Sequence, residues 1–283
     1  MTHRYYSQYG EDFLLWSVFG DRPTGFFVDV GAFDGVMFSN TLSFEQAGWR
    51  GVCVEAHPTY FEQCRQARPG SICLHAACVG DAASPEITFY ADELGLFSGV
   101  LEGREAELTR RYSWLGGQGF QGFARVQVPA MTLNQILDAH LPARTRIDFV
   151  SLDVEGSELD VLRGFDLARY RPRVLLLEAN SPQAGEALSA YLAEHGGYRP
   201  ARQLGVNLAY ASERSVLRKL QRAVVDCHLE PQVHPLAAQY PKFDRRAPRR
   251  VFSAAPASNS LAAKVQRRLR RLAQCLLGPS ARP

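Results

Sequence analysis

Five short apolar runs, with helix-like segments between them, restrict this chain to an alternating α/β fold. They are Gly25–Gly31 (GFFVDVG), Gly51–Glu55 (GVCVE), Ser71–Ala77 (SICLHAA), Ile147–Asp153 (IDFVSLD) and Arg173–Glu178 (RVLLLE). Runs apolar at successive positions are buried on both faces, the habit of parallel strands covered by helices. The punctuation between them is helical. Ser39–Gly48 has Ser39 to cap it and Gly48 to stop it, and Thr59–Arg68 follows Pro58. Thr132–His140 opens on Thr132 as N-cap, Glu158–Arg163 follows the turn VEGSE, and a last helix ends at Gly196. Two short runs, Tyr198–Leu204 and Val206–Ala211, are parted by Gly205 and read as an antiparallel pair at a sheet edge. Phe13–Phe19 reads as a core helix.

The stretch between the third and fourth runs breaks this rhythm. Glu86–Ala91 alternates with period two and predicts an added strand, as does Arg125–Pro129. Leu94–Phe123 is rich in glycine and aromatics and reads as a loop or lid, with a helix near Glu102–Tyr112. Tyr112, Trp114 and Phe120 either cover a flat substrate or pin the loop to the core.

Charge is unevenly spread. From residue 214 onward stand 15 of the 32 Lys and Arg but 3 of the 29 Asp and Glu, so an acidic body carries a basic tail. Within the tail, Leu261–Leu277 places Leu261, Val265, Leu269, Leu272 and Leu276 in a helical stripe among arginines. Such a tail is a solvated extension, a surface for anionic lipid or nucleic acid, or a contact with another copy's acidic body. No run approaches the roughly 18 apolar residues of a membrane span, and the first residues lack a signal-peptide layout. We therefore expect a soluble cytoplasmic protein, peripheral to a membrane's inner face if the tail docks there. The six cysteines form no CxxC pair and point to neither a disulfide framework nor a zinc site.

In open α/β sheets, ligands bind beyond the carboxyl ends of the strands. Four of those ends carry acids here: Asp29 before GAFDG, Glu55 before AHP, Asp153 before VEG and Glu178 before AN. Glu55 lies 24 residues beyond Gly31, near the place of a ribose-binding acid in dinucleotide folds. The loop spacing is GxxxG, however, and Asp29 and Asp34 repel phosphate, which disfavours a nicotinamide site and suits a ligand carrying positive charge.

The segment FVDVGAFDGVMFSNTLSFEQAGWRGVCVEAHP, with MTLNQIL, IDFVSLDVEGSELDVLRGF and the opening YSQYGEDFLL, resembles the FkbM family of S-adenosylmethionine-dependent methyltransferases. The resemblance covers roughly residues 5–212. It implies a Rossmann-like class I methyltransferase fold, α/β, with a mostly parallel seven-stranded sheet, an antiparallel last strand and a basic helical C-terminal extension. The expected organisation is an N-terminal cap segment at 1–25, a methyltransferase domain at 26–212 and the extension at 213–283. It implies O-methylation, commonly of a sugar or a natural product, with a glycan or small molecule as acceptor and no nucleic acid: the fourth strand ends in DVEG, not the Asp/Asn-Pro-Pro-aromatic pattern of base methylation. The alternative is a non-catalytic module of the same fold recruited through its tail.

Carried onto this sequence, the resemblance places Asp29, Gly31, Asp34 and Gly35 along the methionine part of the cofactor, and Glu55 on its ribose hydroxyls. Ala77, Val79 and Asp81 stand where adenine lies or are packing residues. Ser39 and Asn40 are helix caps or cofactor neighbours, and Gln8, Glu11 and Asp12 close over the cofactor. Asp153 borders the cofactor and, with Glu155 and Glu178, orients or deprotonates the acceptor. Asp153, Glu178 and Asn180 also form an oxygen set suited to Mg²⁺. Family members often carry a lysine two residues before Asp153; Ser151 stands there, and no lysine role transfers. His57 and His75 read as structural.

Overall fold

The computed structural model describes residues 5–95, 97–101, 103–113, 122–223, 227–229 and 250–252. The aromatic set expected to close a lid (Trp114, Phe120 and the Tyr112 ring) and the helix expected at Leu261–Leu277 lie outside that description. In chain order the elements are α1 (Glu11–Phe19), β1 (Phe26–Val30), α2 (Leu42–Gln46), β2 (Arg50–Glu55), α3 (Pro58–Ala67), β3 (Ile72–His75), β4 (Ala77–Cys78) and β5 (Glu86–Ala91). Then come α4 (Glu105–Tyr112), β6 (Ala124–Met131), α5 (Leu133–His140), β7 (Phe149–Leu152), α6 (Glu158–Arg163), α7 (Leu167–Tyr170), β8 (Val174–Glu178), α8 (Pro182–Gly196), β9 (Arg199–Leu204), β10 (Asn207–Ala211) and α9 (Arg214–Arg222).

Seven strands form one sheet in the order β3-β2-β1-β7-β8-β10-β9, parallel but for β10, which runs antiparallel between β8 and β9. This is the Rossmann-like methyltransferase topology, and the chain reverses direction across the sheet between β1 and β7. Side-chain alternation splits the core into two layers. Val28, Val30, Val52, Val54, Val150, Leu152, Leu175 and Leu177 face Ile136, Leu137, Val161, Leu162, Leu188 and Leu192 from α5, α6 and α8. Phe27, Cys53, Phe149, Val174 and Leu176 face Leu14, Leu15, Phe19, Phe44, Trp49, Cys64, Val216 and Leu220. The basic helix α9, read as the start of the tail, thus lays Val216 and Leu220 on the sheet beside α1 and keeps its arginines outward. No described helix is long and apolar enough to cross a membrane.

The stretch that broke the rhythm builds a sheet of its own. β5 pairs antiparallel with β6 from Glu86↔Pro129 to Ala91↔Ala124, and β4 adds in parallel. Ala77, Phe89, Ala91 and Val128 form its core. Local signals set the helix ends: Thr132 and Gln135 make a reciprocal capping box at α5, and Ser39 Oγ accepts from Leu42 N at 3.1 Å before α2.

Candidate functional site

A cavity of about 850 Å³ opens at the carboxyl edge of the parallel strands, within the range of small-molecule sites. Its walls follow strand order. At the β3 side Ala56, Ala76, Ala77, Cys78, Phe89 and Val100 make an apolar slot; Glu55 stands at the end of β2, Asp29 and Gly31 at β1, Asp153 to Glu155 after β7, and Glu178 and Asn180 at β8. Adjacent strands lie about 4.8 Å apart, so the four steps from β3 to β8 span about 19 Å. Six carboxylates line the cavity (Glu11, Asp29, Glu55, Asp153, Glu155 and Glu178) against one basic side chain among the described residues, Arg104. The field inside favours a cationic ligand.

The loop from Gly31 to Asn40 is tightly wound, with positive φ at Gly31, Phe33, Gly35 and Phe38. At Gly31 (φ +82°) a Cβ would stand 1.7 Å from the Asp153 carbonyl oxygen, so glycine lets β1 and β7 close on each other beneath the ligand. Asp34 turns into the loop, its Oδ1 accepting from Val36 N at 2.8 Å and Met37 N at 2.7 Å. Gly35 packs underneath, against Arg68 and Cys64. Neither Asp34 nor Gly35 lines the cavity, and both act by shaping the loop. Asp29 is buried and accepts from Thr41 Oγ1 at 2.6 Å; burial pushes its carboxyl up, and the Arg68 charge opposes this.

Glu55 is 8% exposed, its two oxygens accepting from Phe33 N and His57 N, each at 2.7 Å. Burial raises its carboxyl to about 7 despite those bonds. Each oxygen keeps a lone pair for a hydroxyl of a ligand. Asn40 donates to Ser151 Oγ at 3.0 Å, and its own Oδ1 is buried with no partner among the described residues, an acceptor left for a donor such as an ammonium. Ser151 is thereby engaged by Asn40.

Beyond β7 the carboxylates of Asp153, Glu155 and Glu178 have oxygens within 4.8 Å of one another. Enclosure by the cavity walls, and then the neighbouring carboxylates, push Asp153 and Glu155 up, although Asp153 is open to solvent within the cavity; Glu178 rises through burial and the Glu158 charge. Three carboxylates this close ionise together only against their mutual repulsion. Glu155 is a non-glycine residue at φ +55°, a strained conformation. Its brace is Glu158, whose Oε1 accepts from Val154 N and Gly156 N, both at 3.1 Å. Asn180 donates its amide N–H to Glu178 at 2.7 Å and lines the same cavity, and the carboxylate that clusters with Asp153 and Glu178 is Glu155.

The N-terminal segment closes one side. Ser7 bridges to Phe38, Gln8 lines the cavity, and Glu11 accepts from Asn207 Nδ2 at 2.7 Å, which ties α1 to β10. Asp12 is wholly buried, bonded to Ser7 Oγ at 2.5 Å and to Tyr6 N at 2.6 Å, and folds this segment without reaching the cavity. Val79 and the exposed Asp81 stand outside the cavity. His57 and His75 bond backbone carbonyls of Asp92 and Ala56. Sequence reasoning missed Glu158, Phe89, Val100 and Arg104; only Glu158 left a signal, as the last acid of the turn VEGSE. Phe97 to Leu101, within the expected lid, do line the cavity.

A family model described as the Methyltransferase FkbM domain matches residues 29–200. Among curated proteins, the AMB antimetabolite synthetase AmbE of Pseudomonas aeruginosa is 30% identical over 147 residues, covering 42% of this chain; the match spans 7% of that relative's length. Among solved structures, a human methyltransferase 10 domain containing protein is 12% identical with a TM-score of 0.36, covering 71% of this chain and 81% of the other. A TehB-like SAM-dependent methyltransferase from Corynebacterium glutamicum is 11% identical with a TM-score of 0.34, covering 72% and 88%.

Proposed function

The chain belongs to the FkbM methyltransferase family, and from that premise we propose that it transfers the methyl group of S-adenosylmethionine to a hydroxyl of a sugar, a glycan or a glycosylated natural product. The observation that supports this best is the order of surfaces along the cavity: an apolar slot, then Glu55, then Asp29 and Gly31, then the acidic cluster. A flat base, a ribose, a charged amino acid and an acceptor hydroxyl fit that order. When bound, the cofactor supplies a methyl group on a sulfonium, open to in-line displacement.

The chain's own part is to align and to manage one proton. Ala77, Phe89 and Val100 hold the base by apolar contact, and the Glu55 carboxylate accepts from the ribose hydroxyls. Asn40 Oδ1 and Asp29 receive the ammonium. Asp153, Glu155 and Glu178 share protons and keep one carboxylate free to accept the proton of the acceptor hydroxyl as it is methylated. The sugar is the habit of the family that the sequence resembles. The same carboxylates would suit Mg²⁺, which would acidify the hydroxyl instead.

The test is titration calorimetry with S-adenosylhomocysteine, followed by transfer of labelled methyl to a panel of sugars and glycosides, with EDTA or with Mg²⁺. Asp153→Asn is expected to keep binding and to lose transfer by about 100-fold or more, the scale of a general base. Unchanged transfer refutes the assigned role, and loss of wild-type transfer in EDTA alone assigns the carboxylates to a cation.

A further inference from the structure

Beneath the Gly31–Asn40 loop three cysteines converge from separate elements. Cys53 on β2 and Cys73 on β3 are register partners, with Asp29 beside Cys53 on β1, and Cys64 comes down onto them from α3. The three sulfurs lie within 4.8 Å of one another, and Cys64 Sγ is 3.9 Å from Cys73 Sγ. Cys53 and Cys64 are 1% exposed, whereas Cys73 is partly open to solvent.

Arg68, just past the end of α3, decides what this cluster is suited to. Its side chain is fully buried; Nε donates to Glu45 at 2.8 Å, and Nη1 donates to the Gly35 carbonyl at 3.2 Å and to Ser39 Oγ at 3.3 Å. Nη2 has no hydrogen-bond partner among the described residues, sulfur included. Besides its ion pair with Glu45, this buried cation has Asp29 and the cysteine sulfurs close enough for their charges to act on it. Thiol hydrogen bonds from Cys53 and Cys64, and then the Arg68 charge, hold Cys73 well below the usual thiol range. A guanidinium at the cluster also repels a metal cation, and three ligands leave a structural zinc site one short.

We propose that Cys73 and Cys64 are a peroxide-responsive thiol pair whose disulfide loosens the cofactor loop above it. The Cys73 thiolate attacks hydrogen peroxide: an S–O bond forms, the O–O bond breaks and hydroxide leaves, so that sulfur is oxidised and peroxide reduced by two electrons. The Cys64 thiol then attacks the sulfenic sulfur, forming S–S as S–O breaks, and its proton leaves with the hydroxyl as water. The contact with the loop is direct. A Cβ at Gly35 would stand 2.7 Å from Arg68 Cγ and 3.1 Å from Cys64 Sγ, so the loop rests on both side chains. Closing 3.9 Å to a bond of about 2.05 Å withdraws the Cys64 sulfur from that floor, and consuming the thiolate removes a counter-charge of the arginine that holds Gly35 and Ser39.

The effect on cofactor binding rests on the reading of the cavity above, and the experiment separates the two. The full chain is treated with hydrogen peroxide, its cysteines are mapped by differential alkylation and mass spectrometry, and S-adenosylhomocysteine affinity is measured before treatment, after it, and after dithiothreitol. We expect a Cys64–Cys73 disulfide, an affinity loss of tenfold or more, and recovery on reduction. Cys73→Ser, at the partly open position, and Cys64→Ala should each form no such disulfide and show the same affinity before and after peroxide, whatever affinity each starts from; a variant whose affinity still falls with peroxide overturns the pair. Affinity that survives disulfide formation overturns the switch alone, and a reduced wild type that binds no S-adenosylhomocysteine overturns the cavity reading and the switch with it. Pairing through Cys53, or stoichiometric zinc on the three thiols, overturns the assignment of the pair.

Discussion

Replacing Glu55 with glutamine separates a ribose-binding carboxylate from a mere strand terminator. In the free protein burial raises this acid to about 7, so below neutrality it carries a proton. Ribose hydroxyls donate to the ionised form, and binding at pH 6 must first remove that proton. The affinity of the wild type therefore falls about tenfold, or about 1.4 kcal/mol, for each pH unit below 7, until the lower acidity constant of the complex is reached. Glutamine has no such proton. At pH 8, where the wild type is ionised, the variant forfeits a charge-assisted hydrogen bond of about 1.5 to 3 kcal/mol, so its Kd for S-adenosylhomocysteine should be about 10 to 150 times higher. At pH 6 that gap should narrow by about tenfold. Other raised acids near the cavity titrate in both proteins, so the difference between the two calorimetric profiles isolates Glu55. Phe33 N and His57 N now share one amide oxygen between them, leaving one donor facing an NH₂ group in both free and bound protein. That defect drops out of the affinity and shows as a melting point lower by several degrees. Profiles that stay parallel from pH 6 to 8 would refute both the ribose contact and the proton coupling.

Three further outcomes follow from the backbone around the site. Gly31→Ala forces a Cβ onto the Asp153 carbonyl at a positive φ, and should cost about 3 kcal/mol or more in urea unfolding; a loss under 1 kcal/mol contradicts the close approach of β1 and β7. Glu155→Gly relieves a left-handed residue, so stability should rise by about 1 kcal/mol while methyl transfer collapses, and a less stable variant would show that the conformation is unstrained. Glu158→Ala frees the two amides that brace Glu155, and should lower kcat about tenfold or more while leaving the Kd for S-adenosylhomocysteine within twofold; an equal change in both would place Glu158 in cofactor binding instead.

Much of the architecture is local and so was legible. The runs GFFVDVG, GVCVE, IDFVSLD and RVLLLE are β1, β2, β7 and β8 to within a residue or two, because an unbroken apolar run ended by a turn has few other uses. TLNQ carries the capping box of α5 within four residues, and Gly205 marks the turn between β9 and β10. The strand-end acids were legible for the same reason, since the carboxyl edge is where the topology must place a ligand.

Direction was not legible. Asp34 sits in the loop motif as plainly as Asp29, yet it bonds its own loop amides while Asp29 faces the cavity, and the difference lies in the winding of four positive-φ residues. Glu11 meets Asn207 across 196 residues, Glu86–Ala91 finds its partner in Ala124–Met131, and Cys53, Cys64 and Cys73 meet from two strands and a helix. The sequence by itself determined the order and kind of the elements, through apolar periodicity, glycine and proline punctuation and caps, all of which act within a few residues. Which side chains converge was decided by strand register and by helix packing across the sheet, where a shift of one residue turns every side chain to the opposite face.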